Sequence, residues 1–231
     1  MRLTIFGANG PTGRLLTGQA LAAGHDVVAV TRHPDEFPLT GERLTVFAGD
    51  VHRAESVETA IAGADAVLST LGVPYRKEPI DTYSVGVGHM VAAMRKHEVR
   101  RIAVVSSNAV EPKPFSGAGF VFNRVLVPYI TRVMGKTLYD DMRRMEALLS
   151  GTDLDWTIVR PGGLYELPEV TDYVLAAGWV DHRYTARVDL AAGLLRLLDD
   201  DRFVRTTAAV ATTTGNPTML QLMRSEALGG S

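Results

Sequence analysis

The chain has 231 residues, of which 46% are hydrophobic and 22% charged, with a formal net charge of -2. That is globular composition sufficient for one α/β domain with a sizeable core, and it holds no basic run of the kind a nucleic-acid surface needs. There is no cysteine, which excludes disulfides and thiolate metal sites and suits a reducing compartment.

In chain order, a strand over 3–6 runs into glycines at 7, 10 and 13 and then a helix over 12–23. In that helix Leu15, Leu16, Gln19, Ala20 and Ala23 form a mostly apolar stripe, and Gly24 is its left-handed cap. A second strand over 27–31 ends in "VTRHP", and a third over 44–47 ends in "AGDV". A helix over 56–62 leads to a fourth strand over 66–69, closed by "STLG", and a helix over 83–97 leads to a fifth over 102–106. "NAVEPKPFSGAGF" (108–120), with two prolines and two glycines, is expected to be a long loop at the carboxyl end of that strand. Then come a helix over 139–149, a strand over 156–159 ending in "RPGGL", a helix over 188–198 and a strand over 208–211. Asp199, Asp200 and Asp201 are expected to form a solvated helix exit.

Strands that alternate with helices imply βαβ units and a parallel sheet, because parallel neighbours need a crossover. "VVAV" (27–30) and "IAVVSS" (102–107) are almost wholly apolar, as strands covered on both faces should be. One domain over 1–223 is expected, with irregular substrate-side segments near 108–135 and 161–187 and a poorly ordered tail over 224–231. No apolar run approaches the about 20 residues of a membrane span, and no basic-then-apolar leader opens the chain. A cytoplasmic protein without membrane or nucleic-acid partners, monomeric or homodimeric, is therefore expected.

The glycine turn lies between the first strand and the first helix. Gly7, Gly10 and Gly13 permit a tight turn, close approach of backbone to a phosphate, and close helix–strand packing. The helix start offers free N–H groups and a positive dipole end to an anion. Pro11 suits the first helical position, and Thr12 can offer a hydroxyl. At the end of the second strand, where NAD sites usually carry Asp or Glu for the ribose hydroxyl, stand Thr31 and Arg32. A carboxylate would repel a 2′-phosphate, whereas Arg32 can pair with it bidentately, so NADP(H) is favoured over NAD(H). Arg14 is a second candidate contact, and His33 flanks the same place. Asp50 can accept from an adenine amino group and the Val51 amide can donate to a ring nitrogen. The small residues of "LSTLG", which include Thr70 and Gly72 beside Leu71, let ribose and phosphates pass close, and Ser106 and Ser107 lie beside the nicotinamide position.

Taken together, "GANGPTG", "VTRHP", "AGDV", "STLG", "VVSS" and "DWTIVRPGGL" resemble atypical short-chain dehydrogenase/reductases. The nearest group is the NAD(P)H-binding proteins similar to biliverdin-IXβ/flavin reductase and NmrA-like proteins, over roughly residues 1–212. The resemblance implies a doubly wound Rossmann fold with a mostly parallel central sheet and a small C-terminal substrate-side region. It implies cofactor contacts from Gly7, Asn9, Gly10, Pro11, Thr12, Gly13, Arg32, Asp50, Val51, Leu71, Gly72 and Ser106, with the backbone of Pro161, Gly162 and Gly163 near the nicotinamide. It also implies a small-molecule substrate, since members reduce flavins, quinones and tetrapyrroles, while others are non-catalytic redox sensors.

The chain departs from the wider superfamily in lacking Tyr-x-x-x-Lys. Tyr139 is followed four residues later by Arg143, and Met142 stands where related chains often carry lysine or histidine. Hydride transfer can proceed by positioning, with solvent supplying the proton. Ser107, Tyr139 and Lys136 are the candidate catalytic groups, and Tyr165 is a candidate pocket residue. His89 and His97 are eight residues apart, not a metal-binding i, i+4 pair, and no metal site is expected. The expected function is NADPH-dependent reduction of a conjugated acceptor such as a flavin or quinone. The alternatives are an NADP(H)-binding redox sensor or an epimerase-like biosynthetic enzyme.

Overall fold

The computed structural model describes residues 1–215. Eight strands form one sheet in the order β3-β2-β1-β4-β5-β6-β10-β8. They are β1 (Arg2–Phe6), β2 (Asp26–Thr31), β3 (Leu44–Ala48), β4 (Ala66–Ser69), β5 (Arg101–Val105), β6 (Asp155–Val159), β8 (Val174–Ala177) and β10 (Thr206–Ala211). All neighbours are parallel except β8, which runs antiparallel along β10 at the edge. A separate parallel pair joins β7 (Gly163–Tyr165) to β9 (Tyr184–Ala186).

Alternating side chains of each central strand feed two apolar layers. Leu3 and Ile5 of β1, with Val27, Ala29, Leu68 and Ala103, enter the layer under helices α1 (Pro11–Ala22) and α7 (Arg187–Arg196). Phe6, Val28, Val30, Val67 and Ile102 enter the opposite layer, under α2 (Ala54–Ile61), α3 (Thr82–Lys96) and α6 (Lys136–Ser150). This is the both-faces-covered sheet that the continuous apolar strands predict, and its order reverses between β1 and β4. That reversal opens a crevice above the carboxyl ends of the strands.

The predicted strands and helices all form, with ends that differ by up to three residues. Residues 119–134 differ more from expectation. They wind through α4 (Gly119–Val121), a wider π stretch (Phe122–Leu126), α5 (Val127–Tyr129) and a second π stretch (Ile130–Met134), so the loop expected to reach residue 120 gives way to helix from Gly119. Strands β7, β8 and β9 have only three, four and three residues, too few for an alternation to stand out in sequence. Asp200 is not merely solvated: its carboxylate accepts from the Arg202 amide at 3.2 Å and caps a short turn. The tail expected over 224–231 lies outside the described residues.

Two buried carboxylates tie segments together. Asp189, fully buried, accepts from the Thr171 amide and hydroxyl at 2.7 Å each and from the Thr212 hydroxyl at 2.5 Å. Asp141 of α6, also fully buried, accepts from the Tyr83 amide at 2.8 Å and from the Ser84 hydroxyl, capping the start of α3 from a neighbouring helix. Asp141→Ala leaves the Tyr83 amide and the Ser84 hydroxyl without that acceptor. It should lower the unfolding free energy by roughly 1–3 kcal/mol in urea titration.

Candidate functional site

The glycine turn is held by backbone contacts that admit no side chain. Gly7 has φ of +74°, and a Cβ there would lie 2.7 Å from the Thr70 carbonyl oxygen. A Cβ on Gly13 would lie 2.1 Å from the Gly7 oxygen, whereas Gly10 meets nothing closer than 3.3 Å. Two of the three glycines are therefore demanded by packing. Thr70 locks the same turn by donating its hydroxyl towards the carbonyls of Phe6 and Gly7, at 3.1 and 3.2 Å. Asn9 accepts from Arg14 Nε at 2.9 Å, which tethers that arginine to the turn.

Helix α1 begins at Pro11 behind an extended Gly10 with no side-chain cap. Its first-turn amides thus point into the crevice without a capping side chain, which is a cradle for an anion. Thr12, nearly buried, accepts from Arg187 Nη1 at 3.3 Å, and Arg187 Nε stands 2.7 Å from a Glu166 carboxylate oxygen. Arg187, the first residue of α7, brings a cation to the cradle from 175 residues away in sequence. No local motif announces it.

Arg32 follows β2, is exposed, and has no hydrogen bond or ion pair among the described residues. Thr31 is buried and its hydroxyl accepts from the His33 amide at 3.1 Å. Across the same end of the sheet, Asp50 accepts from the His52 amide at 3.0 Å. That bond holds its carboxyl below the usual carboxylate range, with the His52 ring and the Arg32 charge acting in the same direction. The His52 ring bridges Asp50 to Asp81, at 3.2 Å on each side. His89 reaches the Val51 carbonyl at 2.8 Å, and Gly86 lets α3 approach Val51. Leu71 packs against the core, and Gly72 meets open space.

At the ends of β5 and β6 lies a polar network, buried at Ser106 and Glu146, that the sequence does not announce. Ser106 donates to Glu146 of α6 at 2.5 Å. Arg160 holds the two Glu146 oxygens at 3.1 and 2.5 Å and reaches Glu111 at 2.7 Å. The Glu146 hydrogen bond raises the Arg160 guanidinium above its ordinary value. Ser107 accepts from the Ala109 amide at 3.1 Å, and the Asn108 amide donates to the Pro161 carbonyl at 3.0 Å. Gly162 donates to Thr185 at 3.0 Å, and a Cβ on Gly162 would meet the Arg183 oxygen at 2.3 Å. Gly163 is bonded to the same oxygen through its amide, at 2.8 Å.

Beside this backbone opens a cavity of about 200 Å³, bordered by Asn108, Glu111, Lys113, Arg160, Trp179 and His182. Tyr139 is buried, with its hydroxyl 2.7 Å from that of Tyr75, and both rings press on Gly135. Lys136 faces solvent, paired with Asp140 at 2.5 Å. Met142 is core. Tyr165 is buried in a small cluster with Ala186 and Val188 and donates to the Thr214 carbonyl at 3.2 Å. The predicted cofactor residues thus lie at the cradle and at the ends of β2–β3, β4 and β5–β6; of the predicted site residues Gly162 lines the cavity, and Ser107, Tyr139, Lys136 and Tyr165 do not.

Comparison with known proteins agrees with this geometry. A family described as NAD(P)H-binding matches residues 7–201. An uncharacterized protein of Mycobacterium bovis is 36% identical over 108 residues, 46% of this chain and 12% of that protein. The chain therefore spans about an eighth of the length of that curated relative. A short-chain dehydrogenase/reductase of Veillonella parvula, solved in complex with NADP, superposes with a TM-score of 0.75 at 22% identity, covering 92% of this chain and 95% of that one. ChuY, an anaerobilin reductase from Escherichia coli O157:H7, superposes with a TM-score of 0.74 at 22% identity, covering 94% and 100%. The chain belongs to the NAD(P)H-binding family, built on a Rossmann fold.

Proposed function

We propose that the chain is an NADPH-dependent reductase that passes hydride to a conjugated small-molecule acceptor, such as a flavin or quinone. One observation carries the cofactor assignment: Arg32 is exposed at the end of β2 with no ion pair among the described residues, at the position where NAD sites carry a carboxylate. Its guanidinium suits a 2′-phosphate. NADPH, when bound, supplies the hydride.

The chain's own residues supply position and charge. Gly7, Gly10 and Gly13 bring the backbone close to the diphosphate, and the uncapped start of α1 donates to it. Arg187 lends positive charge through Thr12. Asp50, Val51, Leu71 and Gly72 border adenine and ribose, while Ser106 and the Pro161–Gly163 backbone border the nicotinamide. In the adjoining cavity Trp179 offers a flat surface, and Lys113, Arg160 and His182 offer cations to an anionic acceptor. Tyr139, with Tyr75, is the hydroxyl pair on hand for a proton, and Ser107 orients the acceptor. Lys136 stands outside this arrangement. The NADP-bound neighbour and the anaerobilin reductase support the reading.

A redox sensor is the second reading, favoured by the engagement of the Tyr139 hydroxyl with Tyr75 rather than with a lysine. The two separate on turnover. Absorbance at the NADPH band should fall when flavins or quinones are added; tight binding with no oxidation across the acceptor panel assigns the sensor instead.

Three substitutions test the cofactor site. Arg32→Ala should weaken NADPH binding roughly tenfold to a hundredfold by calorimetry and leave NADH nearly unchanged. Equal losses for both cofactors would refute the 2′-phosphate assignment. Gly13→Ala should abolish binding of both, because its Cβ would sit 2.1 Å from the Gly7 oxygen. Gly10→Ala, whose Cβ would meet the same oxygen at 3.3 Å, should cost less binding than Gly13→Ala.

A further inference from the structure

Apolar side chains face outward in number along residues 119–134. Phe120, Val121, Val125, Tyr129, Val133 and Met134 are 75, 69, 56, 52, 64 and 47% exposed, six of the ten exposed large hydrophobics among the described residues. The winding explains why they line up. Helical turns alternate with π turns, as in the bond from the Gly135 amide to the Ile130 carbonyl at 2.8 Å. The mean is then about four residues per turn, so residues four apart stack in straight rows.

One row, Asn123, Val127, Thr131 and Gly135, faces the protein: Thr131 and Gly135 are buried and Asn123 is bonded to the Phe115 backbone. The opposite row is Val121, Val125, Tyr129 and Val133, all exposed. Beside it runs a row holding Arg124, Arg132 and Lys136, all exposed. From Pro112 to Tyr139 there is no acidic residue, and four cations (Lys113, Arg124, Arg132 and Lys136), in a chain whose net charge is -2. Lys136 is paired with Asp140, but Arg124 and Arg132 have no ion pair among the described residues. Asp181, which borders the segment, accepts from the Ser116 amide.

We propose that this segment is an interfacial contact that seats the protein on an anionic phospholipid surface. An apolar outer row beside a basic row is the pattern of a helix lying in the headgroup plane, with Val and Tyr side chains in the acyl boundary and arginines at the phosphates. Charge complementarity selects lipid over a second copy, because the same segment of another copy carries no acid to receive the arginines. This contact differs from a membrane span, for which no helix among the described residues is long and apolar enough.

The test is vesicle co-sedimentation of the full chain with phosphatidylcholine alone and with phosphatidylcholine mixed with phosphatidylglycerol. Binding to the anionic vesicles should be about tenfold or more above the neutral ones and should fall as salt rises. Val125→Glu with Val133→Glu, and separately Arg124→Gln with Arg132→Gln, should each abolish the excess. These positions are exposed, so melting temperature and NADPH binding should not change. Absent binding, equal binding to both vesicle types, or full binding by the Val125→Glu, Val133→Glu variant overturns the proposal. A dimer that this variant converts to monomer, with no vesicle binding by the parent, assigns the face to a second copy and equally overturns it.

Discussion

The first turn of α1 lies against the end of β1 so closely that Gly13 and Gly7 touch backbone to backbone. Everything at the carboxyl edge depends on this contact. It aims the axis of α1 at the crevice where the sheet order reverses. It leaves the helix amides without a capping side chain, so that an anion is the natural cap. Thr70 then joins the β4 loop to the same turn, and Arg187 joins α7 to it through Thr12. A side chain at either glycine would push these apart together.

A different logic operates at the other end of the crevice. Glu146 is an acid in a nearly dry position, and an isolated carboxylate there would be costly. Arg160 and Ser106 supply the compensating bonds from two strand ends, so α6, β5 and β6 converge on one carboxylate. The same arginine reaches Glu111 and borders the cavity. Charge that holds the backbone in place thus also shapes the electrostatics of the cavity.

The parts legible in the sequence are those written locally. The glycine turn, the apolar strands and Arg32 are each specified by neighbours within a few residues, so period and spacing reveal them. Arg187, Glu146 and the Tyr75–Tyr139 pair become visible only when distant segments meet, at separations of 175, 40 and 64 residues. Helix 119–134 is obscured for another reason. Its repeat of about four residues matches neither an α-helix nor a strand, and Pro128 within it reads as a breaker. Lys136 illustrates the converse, since its place beside the cleft in sequence says nothing about which side of α6 it occupies. The structure turns it to solvent, against Asp140.

The bond from the Asn108 amide to the Pro161 carbonyl, together with the Arg160 bridge between Glu111 and Glu146, has a kinetic consequence. The loops that follow β5 and β6 are stitched to each other as well as to their own strands. Neither can lift without breaking bonds that belong to the other. Amide protons on both loops should therefore exchange with solvent through one shared opening rather than two independent ones. A flexible rim would allow each wall of the cavity to adapt separately to what enters. Here the two walls are tied to each other through Asn108, Pro161 and Arg160.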